Sequence, residues 1–323
     1  MTALGTAVST TDAKLDAHVK NILAFKPVLA RIFKETIIEC HDMSYEEIES
    51  CIEGDVQIDV IGLNPGTSNP SKISGNAQED TQDGEGKITY DIRTFIRIPR
   101  SNCLVGVKIL VDLEAQKQEK PGYDIAERAI YYCSRMLSSQ LSVEFENSSA
   151  DKVKYGNLKK VYSIWICTET SQKRANTVER YTIHRSVWPY DKCPDIPRYD
   201  LMEAIIVNIS KKHDTENSSS NMINMLTRLF DESLASGEKL KILKADYGLP
   251  VTTEFEREVL DMTAYAARLL NEGLEQGRSE ERTEMICHML QSGKTPKQIA
   301  EFCGIDMQEI EAVEQALLAT VSE

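Results

Sequence analysis

The sequence predicts an α/β protein with a helical C-terminal extension, and two observations indicate this fold class. First, residues 89–98 alternate polar and apolar side chains imperfectly with period two, and residues 104–116 are almost continuously apolar, which predicts two neighbouring strands. Second, a helical stretch at 123–141 leads into an apolar run at 161–167. Such a strand–helix–strand order favours a parallel pair of strands with a right-handed crossover.

The N-terminal region is predicted to be helical. Apolar residues recur at helical spacing from Asp12 to about Cys40, and Pro27 is expected to divide this stretch into two helices. Ser44 followed by Glu47 is the capping-box pattern, which predicts a short helix after it. The next segments are predicted as a strand at 56–63 and a long polar loop at 64–86.

The region after residue 167 is predicted to hold one more strand and then helices. The strand is expected at 178–187, and the helices at about 199–211, 221–236 and 254–273. A polar linker at 213–220 separates a predicted domain at 12–212 from an acidic helical extension at 213–323.

The last part of the extension, 285–320, resembles a degenerate helix-turn-helix. Its would-be recognition helix, Met307 to Leu318, carries three glutamates and no Lys or Arg. A helix that enters the major groove of DNA should not be this acidic. The extension is therefore predicted to be an interaction module through which the protein forms a homo-oligomer.

The charge distribution bears on where nucleic acid could bind. The chain of 323 residues has a formal net charge of −14, and residues 214–323 carry 10 Lys/Arg against 21 Asp/Glu. Residues 1–213 carry 27 against 30, so this first part is free to present a local basic face.

The sequence argues against several classes of protein. The eight cysteines include no close C-x-x-C pair, which argues against a disulfide framework or a zinc site. No apolar run approaches the ~20 residues needed to span a bilayer. The N-terminal stretch also lacks the apolar core of a signal peptide. The sequence thus predicts a cytoplasmic protein with no membrane partner.

Two carboxylates are expected to meet at one end of the first two strands described above. If these strands pair antiparallel through the short turn at 99–103, Asp91 faces Glu114 and Gln116, which share one face of their strand. The carbonyl of Ala115 lies between them in sequence. Carboxylate and carbonyl oxygens suit Mg²⁺ with several waters retained, so the pattern predicts a magnesium site. Asp112 shares the Glu114 face and is an alternative ligand.

Five segments in sequence order carry a family resemblance. They read YDIR at 90–93, VDLEAQ at 111–116, PGY at 121–123, RAIYYCSRM at 128–136 and VYSIWI at 161–166. On these segments the chain resembles the PD-(D/E)XK nuclease family transposases, relatives of the Rpn-type recombination-promoting nucleases of bacteria, over about residues 12–210. The resemblance implies a restriction-endonuclease-like core, with a mixed central sheet flanked by helices. It also implies Mg²⁺-dependent DNA cleavage, with Mn²⁺ as a possible substitute, and a role in recombination or transposition of mobile DNA.

The resemblance also implies roles for individual residues. Asp91 would be the metal-binding aspartate and Glu114 the acid of the E-x-K motif, with Ala115 supplying a carbonyl ligand. Gln116 stands where the stricter family pattern has Lys, and it offers neutral hydrogen bonds in place of a positive charge. An acid on an upstream helix commonly completes such sites, and Glu39 or Glu35 is the candidate here.

Six basic residues are candidates for contact with DNA phosphates. Arg128 and Arg135 share one face of the predicted helix at 123–141, and arginine forks match phosphate geometry; surface arginines paired with nearby acids are the alternative. The other four are the lysines that precede the apolar run at 161–167, namely Lys152, Lys154, Lys159 and Lys160.

Two functions of different kinds follow from these patterns. One is a metal-dependent DNA endonuclease that hydrolyses phosphodiester bonds with Asp91, Glu114 and Gln116. The other is a catalytically weak or inactive DNA-binding or interaction protein that keeps the nuclease fold, because Gln116 replaces lysine and the upstream acid is not fixed.

Overall fold

The computed structural model describes residues 14–58, 79–82, 86–89, 91–100, 103–118, 122–143, 155–189, 198–209 and 218–321. The chain divides into two compact units, one comprising Asp12–Ala264 and the other containing Tyr265–Glu323. The larger unit therefore extends beyond residue 212, where the sequence analysis places the domain boundary.

The larger unit contains helices on both sides of the central strands. Their bounds are α1 (14–23), α2 (Lys26–Thr36), α3 (Tyr45–Cys51), α4 (Ile125–Val143), α5 (Asn221–Phe230), α6 (Ser236–Tyr247) and α7 (Thr253–Gln291), the last of which runs on into the smaller unit.

The two predicted features of the N-terminal helices are confirmed. Pro27 lies in the first turn of α2, where the missing N–H of proline costs nothing, so the stretch is divided into two helices. The Ser44 hydroxyl accepts a hydrogen bond from the Glu47 N–H, and the Glu47 carboxylate accepts one from the Ser44 N–H, which is the full capping box.

Six strands form one mixed sheet in the order β1-β4-β5-β6-β8-β7, and β2 pairs with β3 in a separate hairpin. Strands β5, β6 and β8 are parallel to one another, whereas the pairs β1–β4, β4–β5 and β7–β8 are antiparallel. The bounds are β1 (Ile52–Ile58), β2 (Glu79–Gln82), β3 (Gly86–Thr89), β4 (Ile92–Arg100), β5 (Cys103–Gln118), β6 (Val161–Glu169), β7 (Thr177–Thr182) and β8 (Met202–Asn208). The predicted antiparallel pair β4–β5 and the predicted parallel pair β5–β6 are both present.

The sheet has a different helical layer on each face. Alternate residues of β6 divide between the two faces: Tyr162, Ile164 and Ile166 pack with apolar residues of α1, α2, α3, α5, α6 and α7. Val161, Trp165 and Cys167 pack with the apolar stripe of α4. β6 is thus buried on both sides, which explains its continuous apolar sequence.

The predicted helix at 199–211 is wrong, because this segment contains strand β8. Its Ile205-Ile206-Val207 run is β-branched and buried, and it pairs with β6 on one side and β7 on the other. A short apolar run of this kind has no periodicity that separates a buried strand from a buried helix. The predicted single helix at 221–236 is also wrong, since α5 ends at Phe230 and α6 begins at Ser236.

Two other predicted segments differ from the structure at their bounds. The strand expected at 56–63 is β1, which begins earlier and is described as far as Ile58. The loop expected at 64–86 includes strand β2 and the start of β3, and the rest of it lies outside the described residues.

The smaller unit has its own core, formed where the end of α7 meets α8 (Pro296–Cys303) and α9 (Met307–Val321). The buried residues Ile286, Ile299 and Ile310 make this core, one from each helix. Across the described part of the chain, no helix combines the length and the apolar character that a membrane span requires.

Candidate functional site

Asp91 reaches the segment that holds Glu114 and Gln116. Strands β4 and β5 pair with Ile92 opposite Leu113, so Asp91, just before β4, meets the residues that follow Leu113. Oδ2 of Asp91 accepts a hydrogen bond from the backbone N–H of Ala115 at 3.1 Å. For Glu114 and Gln116 the structure describes the backbone and its pairing, and their side chains lie outside the described residues, as does that of Asp112.

This contact lies toward the carboxyl ends of two parallel strands. Ala115 pairs with Ile166, and the two strands end soon afterwards, at Gln118 and Glu169. In open α/β sheets, ligands bind outside the carboxyl ends of the strands. The position of Asp91 is therefore one at which the fold commonly binds ligands.

Helix α1 adds a lysine and a second carboxylate to Asp91. Lys20 Nζ lies 2.8 Å from Asp91 Oδ1 and 2.8 Å from Asp16 Oδ2. Asp16 and Lys20 are four residues apart and therefore share one face of the helix. The Lys20 side chain is only 7% exposed. Sequence reasoning missed both residues, and the only signal was an i,i+4 acid–base pair, which is common on solvated helix faces.

The ion pair and burial act in opposite directions on the pKa of Lys20 and on that of Asp91. Burial alone would lower the pKa of Lys20, but the Asp91 charge and the hydrogen bonds with Asp16 and Asp91 reverse this, so its pKa is raised and the side chain is a fixed cation. Burial raises the pKa of Asp91, while the Lys20 charge and the hydrogen bonds from Lys20 and Ala115 oppose the rise. One ammonium thus faces two carboxylates, next to the backbone of a third acid, Glu114.

Asp91 and Asp16 supply oxygen donors of the kind that a hard divalent cation prefers. Mg²⁺ is usually held by one or two protein carboxylates together with water and phosphate oxygens. Asp91 and Asp16 are two such carboxylates, and a carboxylate has about four lone-pair sites, so it can accept hydrogen bonds and bind a cation at once. Within the described ranges no three His, Cys, Asp or Glu side chains converge on a metal position. A cation here would therefore need Glu114 or the Ala115 carbonyl as a further ligand.

Glu39 and Glu35, the two predicted upstream acids, are engaged elsewhere. Glu39 lies in a short 3₁₀ helix, Ile38–Cys40, and accepts a 2.6 Å hydrogen bond from the Tyr162 hydroxyl. Tyr162 is four residues before Ile166, the partner of Ala115, which corresponds to about 13 Å along a strand. The Glu35 carboxylate accepts hydrogen bonds from Ser220 and from the Met222 N–H at the start of α5. The described contacts bring neither acid to Asp91, and Asp16 is the helix acid that lies beside it.

A second charged cluster lies at the amino ends of β6 and β8. Lys160 is 8% exposed and its Nζ lies 3.1 Å from Asp200 and 3.5 Å from both Glu39 and Glu203. Arg180 Nη1 also donates to Glu203 at 2.6 Å. The cations and acids of this cluster contact one another directly, so it is best explained as a structural ion network that joins the ends of the strands.

Arg135 is buried, and Arg128 is half-buried among aromatic side chains. Arg128 donates to the hydroxyls of Tyr123 and Tyr132, and its guanidinium lies 5.1 Å from the centroid of the Trp165 ring. The residue Arg135 is 2% exposed. These contacts favour a structural role over the predicted contact with DNA phosphates, which stays a prediction.

Of the four lysines predicted to contact DNA, the structure describes Lys159 and Lys160. Lys152 and Lys154 lie outside the described residues. Lys159 is half-buried, with its ammonium 5.7 Å from the Phe95 ring centroid and its N–H bonded to the side chain of Gln140. Lys160 belongs to the ion network at the amino ends of the strands.

Comparison with known proteins provides no independent assignment. No family model matches the chain, and neither the curated proteins nor the solved structures contain a significant match.

Proposed function

We propose that the chain is a Mg²⁺-dependent DNA endonuclease, a phosphodiester hydrolase with a PD-(D/E)XK-type core. The observation that supports this most is the contact of the Asp91 carboxylate with the Ala115 N–H, between Glu114 and Gln116. The order of antiparallel hairpin, helix and parallel strand around that contact also agrees with the proposed core.

In the proposed site, Asp91, Glu114 and the Ala115 carbonyl would hold the cation. When bound, Mg²⁺ lowers the pKa of a water and neutralises charge on the phosphate. Gln116 donates hydrogen bonds from its amide beside the scissile phosphate. Lys152 and Lys154 contact the DNA backbone without sequence preference. The proposed biological setting is recombination or transposition of mobile DNA.

The proposal is tested by metal removal in a plasmid-nicking assay. The purified chain is expected to nick supercoiled DNA with Mg²⁺ or Mn²⁺, to stop when EDTA is in excess, and to recover when Mg²⁺ is restored. The reason is that the proposed reaction depends on a bound cation to lower the pKa of the attacking water. Two results would contradict the proposal. One is nicking that persists in EDTA, and the other is the absence of cleavage of supercoiled, linear and single-stranded DNA with either ion.

A second candidate is a DNA-binding protein of the same fold without turnover. The observation that favours it is the direct ion pair between Lys20 and Asp91, because such a pair can replace a metal as the counter-charge of the aspartate. Fluorescence anisotropy with labelled duplex DNA distinguishes the two candidates. Binding without product in Mg²⁺ would support the second.

For the C-terminal unit we propose self-association. Phe302 on α8 is 82% exposed, and a large apolar side chain at this position is available for contact with a second copy of the chain. Light scattering of the full chain should give a multiple of 36.3 kDa. Phe302→Glu should shift the mass toward the monomer, whereas Lys297→Glu, which adds an acid at another exposed position of the same helix, should not. A monomeric wild-type protein would contradict this proposal.

A further inference from the structure

The smaller, C-terminal unit contains a cleft where the end of α7 meets the turn between α8 and α9. Its volume is about 520 Å³, which is within the range of pockets that take up small molecules, so an aromatic side chain fits. Met285, Cys303 and Ile305 form the apolar part of its lining, and charged residues of α7 and α9 form most of the rest. The unit therefore has a recess that is both apolar and charged.

Phe302 lies next to this cleft in the chain. It directly precedes Cys303, which lines the cleft, and it is 82% exposed, so it does not fill the cleft of its own chain. A single exposed apolar side chain needs no explanation by itself. Here a recess with an apolar lining lies beside it, so that one surface of the unit carries a projection and a recess together.

Two opposite charges accompany the recess and the projection. Arg278 lines the cleft one helical turn before Arg282, whose guanidinium pairs with Glu309 at 3.4 Å. Glu301 directly precedes Phe302 and is exposed, as is Arg278. Among the residues that the structure describes, neither Arg278 nor Glu301 forms an ion pair. Two arginines four residues apart on a helix repel each other, and an acid from another molecule would relieve this repulsion.

The other two acids of the cleft leave Arg278 available. Asp306 accepts the N–H of Gln308 at 3.0 Å at the start of α9. Glu281 is exposed and follows Arg278 by three residues, but in the described part of the chain it forms no ion pair. Arg278 is therefore the cation of the cleft that can pair with an acid of a second molecule.

We propose that the cleft receives Phe302 of a second copy of the chain, and that Arg278 of each copy pairs with Glu301 of the other. The proposal rests on the self-association proposed above, and it names the surface through which the copies meet. In a two-fold symmetric dimer every contact is made twice. Because the projection and the recess are adjacent on one unit, a single two-fold axis between them allows both insertions and both charge pairs at once.

The test exchanges the two charges. Arg278→Glu and Glu301→Arg should each raise the dissociation constant of the dimer by at least about tenfold, because like charges then face each other at both contacts. An equimolar mixture of the two variants should associate as tightly as the wild type, since both contacts of the mixed dimer again join an arginine to a glutamate. Light scattering of the full chain over a concentration series measures these constants.

The matched controls make the same charge changes outside the cleft. Lys297→Glu and Glu311→Arg alter exposed residues of α8 and α9 that do not line it. Both should associate like the wild type. Far-UV circular dichroism of all four variants controls for loss of the fold.

A second measurement locates the inserted side chain. A benzophenone amino acid incorporated in place of Phe302 should crosslink on irradiation to Met285 or Ile305 of the second copy. In a mixture of isotope-labelled and unlabelled chains, a crosslink between copies joins one labelled and one unlabelled peptide, which separates it from a crosslink within one chain. Mass spectrometry of the digested product identifies both peptides.

The outcomes separate this proposal from that of self-association. If the wild type is oligomeric and both charge variants associate equally well, the role of the cleft is refuted and self-association stands. The same conclusion follows if Phe302→Glu gives monomers but the crosslinks reach residues outside the cleft. A wild type that stays monomeric refutes both proposals. Weakened single variants, recovery in their mixture and a crosslink to Met285 would establish the interface.

Discussion

Replacement of Asp91 by asparagine is expected to lower Mg²⁺-dependent nicking of supercoiled DNA by at least about a hundredfold, because metal-based charge stabilisation contributes several kcal/mol. The amide would keep the size of the side chain and one oxygen that can accept the Ala115 N–H. It would remove the negative charge that pairs with Lys20 and that the proposed cation site requires. The rate of conversion of supercoiled to nicked plasmid, with equal amounts of the two proteins, measures the effect.

The matched control is Asp42→Asn, which removes an exposed carboxylate from the turn after the 3₁₀ helix. It should nick at the wild-type rate, and both variants should show far-UV circular dichroism like that of the parent. Equal nicking by the wild type and Asp91→Asn would mean that the active site lies elsewhere or that the activity is a contaminant.

The second large effect is on stability. Trp165→Ala should lower the free energy of unfolding by about 3–5 kcal/mol, since it removes a large side chain from a packed core and leaves a cavity. Trp165 is 1% exposed, lies edge-on to Tyr132 at 5.4 Å between ring centroids, and donates its indole N–H to Ser163 at 2.9 Å. The Arg128 guanidinium above the ring would lose its aromatic partner too.

Urea unfolding followed by circular dichroism measures this loss without relying on tryptophan fluorescence. Trp188→Ala is the control, because Trp188 is 87% exposed and its removal should change the free energy by no more than about 0.5 kcal/mol. Similar losses in the two variants would show that β6 and α4 do not form the core described above.

The central strands could be predicted because their sequences each have one clear pattern. β5 and β6 are almost continuously apolar, as expected of central strands, and α4 has a single apolar stripe that packs against β6. β8 is just as buried as β6, but its short apolar run does not separate a strand from a helix. Only its pairing between β6 and β7, a tertiary contact, reveals that it is a strand.

The part of the candidate site that the sequence predicts is the part formed by the hairpin of β4 and β5. Asp91 and the E-x-Q segment meet because β4 and β5 are neighbours in sequence and pair antiparallel. Lys20 comes from a distant helix, and periodicity does not say which part of a sheet a helix face meets. The prediction for Glu39 depends on a helix that continues to residue 40. α2 ends at Thr36, and the 3₁₀ turn that follows directs Glu39 toward Tyr162.

The most direct test of the central claim is the position of a bound Mn²⁺ ion in crystals of the full chain. Anomalous diffraction should show a peak about 2 Å from a carboxylate oxygen of Asp91, with Glu114 and the Ala115 carbonyl as further ligands. A peak among Glu39, Asp200 and Glu203, or none near Asp91 at saturating Mn²⁺ with the Lys20 ion pair intact, would contradict the account.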